Sequence, residues 1–100
     1  MQDPYADITK RLQKSVLSGP GTLDPEVRQH AASTVDVPDE LASYVQKVSR
    51  YAYKVTDDDM ALLRQKGYSE DQIFELTVSV ALGAGLSRLE AGLKAIQEGK

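Results

Sequence analysis

The sequence predicts an all-α protein, a five-helix single-domain bundle built around a long apolar C-terminal helix. Residues that start helices and residues that stop them alternate along the chain, and apolar residues recur at helical spacing between them. No pair of alternating segments joined by a hairpin turn is present. One hundred residues suit one domain, which we divide into N-terminal helices and linker (1–37) and a helical core (38–100).

The first helix is predicted to begin at Asp3, an N-cap, with Pro4 in the first helical position. Its apolar positions share one face, and they are Tyr5, Ile8, Leu12 and Val16. The turn at residues 18–21, which contains glycine and proline, ends this helix.

Two shorter helices follow. Asp24 and Pro25 repeat the starting signal for a helix of about residues 25–32, and Pro38 opens a third helix after a linker. The buried face of the third helix is predicted to comprise Leu41, Tyr44, Val45, Val48 and Ala52. Its water-facing residues are predicted to be Lys47, Arg50 and Lys54.

The fourth and fifth helices carry capping signatures. Thr56 with Asp59, and Ser69 with Gln72, each have the spacing of a capping box, and Gly67 suits the left-handed position between the helices. The fifth helix then carries one apolar stripe, which we expect to face the core: Phe74, Val78, Leu82, Leu86, Leu89, Leu93 and Ile96. Residues 76–80 alternate as a strand would, but the capping box before them and the stripe after them favour helix.

Small residues line a second stripe of the fifth helix. Gly83 and Gly85 each cost about 1 kcal/mol relative to alanine inside a helix, so we expect a close backbone approach at both. From this stripe we predict a helix–helix interface at Ala84, Gly85, Ala91, Gly92 and Ala95. Arg88 projects from the middle of the stripe.

Composition excludes several classes of function. The net charge of −3 and the pI of about 5.0 disfavour binding to nucleic acid and to anionic membranes. The absence of cysteine removes disulfides, thiolate nucleophiles and thiolate metal sites. The longest apolar stretch, residues 76–86, is about half of a bilayer span, and no signal peptide is visible, so we expect a cytoplasmic protein.

Three side chains are candidate ligand-binding residues. Arg88 could bind an anionic ligand or a carboxylate of a partner, or it could reach the surface or pair with Glu75. Tyr51 and Tyr53 are two positions apart and should point to different faces, one toward the core and the other toward a pocket or an interface. Metal binding is not expected, because residues 57–59 fan out around a helix by about 100° each and act as capping charges. No cofactor is expected either.

The segment from Val55 to Leu93 resembles the C-terminal half of the alkylhydroperoxidase D and carboxymuconolactone decarboxylase superfamily. The acidic helix start, the Ser-Glu-Asp-Gln-Ile run at 69–73 and the apolar helix ending near Arg88 carry this resemblance. The resemblance implies a helical fold and assembly into homo-oligomers. The family's chemistry uses a Cys-x-x-Cys pair with a nearby His, and this chain has no cysteine, so its thiol peroxidase activity is not expected. The single His30 lies outside any such motif.

Three functions remain open at this point. The first is a non-catalytic homo-oligomer that acts as an interaction or accessory protein. The second is a protein that binds a small molecule, or a cryptic enzyme, with an apolar pocket near Arg88. The third is a helical adaptor that contacts another protein through the Gly67–Tyr68 turn. The first is preferred, because no nucleophile, base and stabiliser can be assembled from the sequence.

Overall fold

The computed structural model of the protein describes residues 6–98, which contain five α-helices and no strand. The helices are α1 (Ala6–Ser18), α2 (Pro25–Ser33), α3 (Asp39–Tyr51), α4 (Asp57–Gln65) and α5 (Glu70–Glu98). A single 3-10 turn, Ala52–Lys54, continues α3. The all-α prediction and the five helices are confirmed. The predicted start of the first helix, Asp3 to Tyr5, lies outside the described residues.

Side chains cap α2 and α4 at their N-terminal ends as predicted. The carboxylate of Asp24 accepts a hydrogen bond from the backbone N–H of Glu26 at 2.9 Å. At α4, the backbone N–H of Thr56 donates to the carboxylate of Asp59 at 2.8 Å within a capping box. Each bond satisfies a backbone N–H group that has no partner within the helix. The starts of both helices are therefore fixed by residues close by in the sequence.

The start of α5 is fixed in the same way. The N–H of Ser69 donates to the side-chain oxygen of Gln72 at 2.9 Å, and the N–H of Gln72 donates to the hydroxyl of Ser69 at 3.1 Å. Gly67, with φ of +100°, takes the left-handed conformation that ends α4. Residues 76–80 are helical, so the strand alternative is excluded.

The core lies where α2, α3 and α4 close on the first half of α5. Its buried apolar residues are Leu23, Ala31, Leu41, Tyr44, Val45, Val48, Leu63, Ile73, Leu76 and Val80. The most extensive helix pair is α2 with α5, so residues 1–37 contribute Leu23 and Ala31 to the core. The predicted face of α3 is confirmed except at Ala52, which is exposed because the 3-10 turn rotates it away from the core.

The two glycines in the middle of α5 differ in their surroundings. A Cβ added at Gly83 would overlap the backbone of Ala32, and it would lie 2.6 Å from that residue's carbonyl carbon. A Cβ at Gly85 would have nothing within 4 Å. The predicted close approach is therefore confirmed at Gly83, where α2 crosses α5, and is wrong at Gly85 within a single chain.

The face of α5 that enters the core is not the predicted one. The buried residues of α5 are Ile73, Leu76, Ser79 and Val80. Phe74 and Ile96, both in the predicted core stripe, are 69% and 64% exposed. From Ser87 to Glu98 every residue is exposed. The chain therefore wraps only the first half of α5 and only one side of it. The predicted stripe is wrong because residues 73–86 are apolar or small on nearly every side, so the apolar pattern does not distinguish one side from the other.

Candidate functional site

A continuous apolar surface runs along α5 on the side turned away from the core. We call it the open face, and its members are Phe74, Val78, Ala81, Leu82, Gly85, Leu89, Gly92 and Ile96. Since successive helical residues are rotated by about 100°, these eight residues fall within an arc of about 100°. Val78 and Leu82 are half-buried and the other six are exposed. Between residues 74 and 96 this arc contains no charged side chain.

The open face is comparable in size to the largest apolar patch of a typical single chain. Residues 74–96 span about 33 Å along the helix, and a helix is about 10 Å wide, which gives roughly 330 Å² of projected surface. Exposed apolar patches of a few hundred Å² on a single chain often mark interaction sites. The open face therefore has the size and composition of a docking surface.

An apolar groove continues the open face at its N-terminal end, between α4 and α5. It has a volume of about 220 Å³, and its lining residues are Met60, Arg64, Glu70, Ile73, Phe74 and Thr77. The guanidinium of Arg64 and the carboxylate of Glu70 form an ion pair of 3.1 Å. The groove thus presents an apolar floor together with a pair of opposite charges.

The five predicted interface residues divide between two surfaces. Gly85 and Gly92 belong to the open face, and a Cβ added at either would meet nothing within 4 Å. Ala91 and Ala95 are exposed about a third of a turn further round α5. Ala84 is half-buried and lines a cleft on that other side.

Helix α1 lies against the second half of α5, and the side of α1 that faces α5 is the less apolar one. Ala6, Thr9, Lys10 and Gln13 line a gap of about 210 Å³ opposite the α5 leucines at positions 86, 89 and 93. The apolar side chains of Ile8 and Leu12 are 61% and 47% exposed. No residue of α1 is buried. This contact therefore adds little apolar burial to the second half of α5.

Arg88 lies in a cleft where four helices meet. Its guanidinium donates a hydrogen bond to the carbonyl oxygen of Ser49 at 3.2 Å. The cleft has a volume of about 540 Å³, and its lining residues are Gln13, Leu17, Gln29, Ala32, Ser33, Thr34, Ser49, Arg50, Gly83, Ala84, Leu86, Ser87, Arg88 and Glu90. The cleft beside Arg88 is mixed in character rather than apolar as expected, because the ends of α2 and α3 line it with polar groups, and a ligand pocket there stays a prediction.

Arg50 is a second arginine that lines this cleft, which we therefore call the arginine cleft. It also lines an adjoining cleft of about 480 Å³ that shares Thr34 and Ser49 with the first. Thr34, which ends α2, has a φ of +56°. A β-branched residue is uncommon in this left-handed region, and its conformation costs roughly 1–2 kcal/mol. Strained backbone of this kind clusters at binding sites, which makes the cleft a second candidate site.

Tyr51 and Tyr53 do not join Arg88. Their ring centroids are 6.4 Å apart in an edge-to-face arrangement, and the ammonium of Lys54 lies 5.0 Å from the centroid of Tyr51. Tyr53 is 80% exposed, and neither tyrosine lines the arginine cleft. The structure places the two tyrosines together on the surface and apart from Arg88. The prediction that they point to different faces, one of them toward the core, is wrong, because the 3-10 turn after Tyr51 brings the two rings into contact on the exposed end of α3.

A buried guanidinium on α2 is a functional group that the sequence did not predict. Arg28 is 2% exposed, and it donates three hydrogen bonds to backbone carbonyl oxygens. The acceptors are Leu23 at 3.1 Å, Val16 at 2.8 Å and Gly19 at 2.6 Å. Arg28 thereby ties the end of α1 and the α1–α2 loop to α2. A single arginine in a short helix gives no sequence signal of this role.

Glu75 holds the same loop from the other side. Its carboxylate accepts hydrogen bonds from the backbone N–H groups of Thr22 at 2.9 Å and Leu23 at 3.1 Å, and also from the hydroxyl of Thr22. The bond from Thr22, with help from the nearby charge of Arg28, holds the pKa of Glu75 below its ordinary value. Glu75 therefore does not pair with Arg88, which was one of the sequence alternatives.

Two further ionisable groups join α3 to α4 and the turn that follows it. The ammonium of Lys47 donates to the carboxylate of Asp59 at 2.9 Å, and this bond lowers the pKa of Asp59. The phenol of Tyr68 donates to Glu40, and this bond raises the pKa of Tyr68 to about 12. Both contacts hold neighbouring elements together within the chain. The tyrosine of the Gly67–Tyr68 turn is therefore already bound to α3.

The described residues offer no metal site and no membrane span. Across residues 6–98, no three His, Asp or Glu side chains are grouped closely enough to hold a metal ion. None of the five helices is both long enough and apolar enough to cross a bilayer. His30 is half-buried on α2 and does not line the arginine cleft.

No protein-family model, curated protein or solved structure matches this chain. The resemblance to the alkylhydroperoxidase D and carboxymuconolactone decarboxylase superfamily stays a prediction based on residues 55–93.

Proposed function

We propose that this protein is a non-catalytic, self-associating helical protein that acts as an interaction or accessory protein. The observation that carries the proposal is the open face. Residues 73–86 of α5 are apolar or small on nearly every side. A helix of this kind is normally enclosed all round, and this chain encloses only one side of it. A second copy of the chain would cover the remaining side.

The side chains of the open face can contribute enough energy for reversible association. Phe74, Leu89 and Ile96 are 69%, 47% and 64% exposed. Burying what remains exposed of each contributes about 1–2 kcal/mol, so two copies together contribute roughly 6–12 kcal/mol. Association itself costs several kcal/mol in lost translational and rotational freedom. We therefore expect a dimer that dissociates on dilution.

The absence of an assembled catalytic set supports the non-catalytic part of the proposal. The chain has no cysteine and one histidine, and His30 lies apart from the arginine cleft. Acid–base or nucleophilic catalysis needs a nucleophile, a base and a stabilising group in mutual reach. The family resemblance is consistent with the self-association, because it implies homo-oligomers without requiring the thiol chemistry.

Light scattering coupled to size exclusion tests the proposal with two neighbouring substitutions. Ile96→Glu places a charge in the open face, whereas Gln97→Glu places the same charge about 100° away on the same turn. We expect the wild type and Gln97→Glu to show a mass above that of one chain at high micromolar concentration, and Ile96→Glu to show one chain. A wild type that stays at the mass of one chain would contradict the proposal.

The arginine cleft supports a second candidate function, the binding of a small anion such as a carboxylate or phosphate compound. Two guanidinium groups, from Arg50 and Arg88, line it together with several hydroxyl and amide side chains. A charge-assisted hydrogen bond contributes about 1.5–3 kcal/mol, so two arginines can select an anion. One carboxylate, that of Glu90, also lines the cleft and would favour ligands with a polar neutral part.

Calorimetric titration with succinate and with inorganic phosphate tests this second function. We expect Arg50→Gln and Arg88→Gln each to weaken binding about tenfold or more, because each removes a charge-assisted hydrogen bond. Lys94→Gln is the matched control, because Lys94 is an exposed cation of α5 that does not line the cleft. Equal binding by all four proteins, or no binding by the wild type, would exclude an anion site in the cleft.

A further inference from the structure

We infer that the two copies pair through antiparallel α5 helices that cross at Gly85. This inference rests on the proposed self-association and adds its geometry. In such a pair, a two-fold axis passes beside Gly85, and residue i of one copy lies opposite residue 170 − i of the second copy. Isologous pairs of this kind are the commonest way in which identical chains associate.

In this register two pairs along the open face place a large residue opposite a small one, whereas Leu82 lies opposite Arg88, whose guanidinium is bound to Ser49 of its own chain. Val78 lies opposite Gly92 of the second copy, and Ala81 lies opposite Leu89. Each of these contacts, which occur twice, places a large side chain against a small one. Phe74 lies opposite Ile96, where the helices have separated enough for two large side chains. A close-packed interface needs such alternation, because unfilled space loses contacts.

Gly85 suits the crossing point. It is exposed, and a Cβ added there would meet nothing within 4 Å of its own chain, so neither the fold nor the core requires glycine at this position. Glycine in a helix interior costs about 1 kcal/mol relative to alanine. A glycine on each helix at the crossing lets two backbones approach more closely than any side chain would allow, which accounts for that cost.

The groove beside Phe74 provides a site for the end of the second copy's helix. The groove of about 220 Å³ is bounded by Met60, Ile73 and Phe74, and it continues the open face. In the antiparallel register, Ile96 of the second copy reaches this groove. A buried isoleucine side chain fits a space of this size, so the exposed last turns of α5 gain contacts that their own chain does not supply.

A parallel pair would fit the same surface less well. It would place Phe74 on Phe74 and Leu89 on Leu89, and it would leave Gly92 opposite Gly92 with an empty space between them. It would also align the two helix dipoles in the same direction, which is unfavourable, whereas the antiparallel pair opposes them. The antiparallel order therefore satisfies both packing and electrostatics.

Single cysteines test the register, because the chain contains no cysteine of its own. Phe74→Cys and Ile96→Cys are prepared separately and then mixed, and a short bis-maleimide is added. In the antiparallel register, residue 74 lies opposite residue 96 of the second copy, while two residues 74 lie about 33 Å apart along the helices. We expect at least a fivefold higher yield of covalent dimer from the mixture than from either variant alone.

The control and the mass measurement separate the two proposals. Phe74→Cys mixed with Gln97→Cys should give a low yield, because Gln97 points about 100° away from the open face. Efficient cross-linking of Ile96→Cys alone, or a dimeric mass with no cross-link from the mixture, overturns the antiparallel register and leaves self-association intact. A mass of one chain for the uncross-linked proteins overturns both.

Discussion

At the scale of single residues, Arg28 and Glu75 fix the irregular part of the fold. Both bind the loop between α1 and α2, and neither was assigned this role from the sequence. Glu75 lies 53 residues from Thr22, the residue it binds most extensively, and no local pattern joins the two. Arg88 lies in a polar cleft, as the long side chain of an arginine among small residues must reach a polar region, and its ligand-binding role stays a prediction. Its polar neighbours come from three other helices and were not predictable.

Replacing Glu75 with glutamine tests the role of its carboxylate. We expect Glu75→Gln to lower the free energy of unfolding by about 1–2 kcal/mol at neutral pH, because charge-assisted hydrogen bonds to Thr22 and Leu23 become neutral ones. Denaturation in urea measures this change. Glu90→Gln removes an exposed carboxylate of the same helix and should have little effect. Equal stability of the two variants would contradict the role assigned to Glu75.

The same carboxylate predicts a pH dependence of stability. The pKa of Glu75 is lower in the folded chain than its ordinary value of 4.5, so the folded chain binds fewer protons. Its contribution is complete above the ordinary pKa and is lost as pH falls through the folded pKa. We expect the wild type to lose more stability than Glu75→Gln as pH falls below the ordinary pKa of 4.5 and through the lower folded pKa. Parallel curves for the two proteins would contradict this.

At the scale of helices, local signals predicted the ends and failed to predict the orientation of α5. The caps at Asp24, Thr56 and Ser69 depend on residues within one turn, so the sequence contains all the information needed. The side of α5 that enters the core depends on which helices pack against it. Because apolar or small residues occur on every side of α5 between residues 73 and 86, the apolar pattern cannot select one. Gly83 resolves the choice, since α2 crosses α5 there.

The two glycines of α5 give opposite predictions for the same substitution. Gly83→Ala should lower the free energy of unfolding by about 1–3 kcal/mol, because the new Cβ would overlap the backbone of Ala32 and push α2 away. Gly85→Ala should stabilise the monomer by up to about 1 kcal/mol through helix propensity and should weaken the dimer. Thermal unfolding under dilute conditions measures the first effect, and light scattering measures the second.

These glycine variants control for one another, since both make the same chemical change two residues apart. A stable Gly83→Ala variant would contradict the close approach of α2 and α5. A Gly85→Ala variant that dimerises as tightly as the wild type would contradict a crossing at Gly85, although another register of the open face would remain.

At the scale of the whole molecule, α5 extends beyond the part of the chain that covers it. The helix is about 43 Å long, and the longest dimension of the described structure is 50 Å. Beyond Ser87 it has no buried residue, and its contacts are the loose one with α1 and those of Arg88 in the arginine cleft, which include the hydrogen bond to Ser49. A helix of about 12 residues with little tertiary packing is marginal in water, so we expect the proposed second copy to stabilise this half. The sequence pattern predicts the helix, but it does not predict that residues 87–98 are left exposed by the rest of the chain.

Amide hydrogen exchange at several protein concentrations tests the central claim, that a second copy covers α5. We expect the amides of residues 87–98 to become more strongly protected as concentration rises through the micromolar range, relative to the core amides of residues 76–80. Such a rise would mean that the exposed half of α5 gains its stability from association. Protection of residues 87–98 that stays the same at every concentration, in a protein with the mass of one chain, would contradict the account.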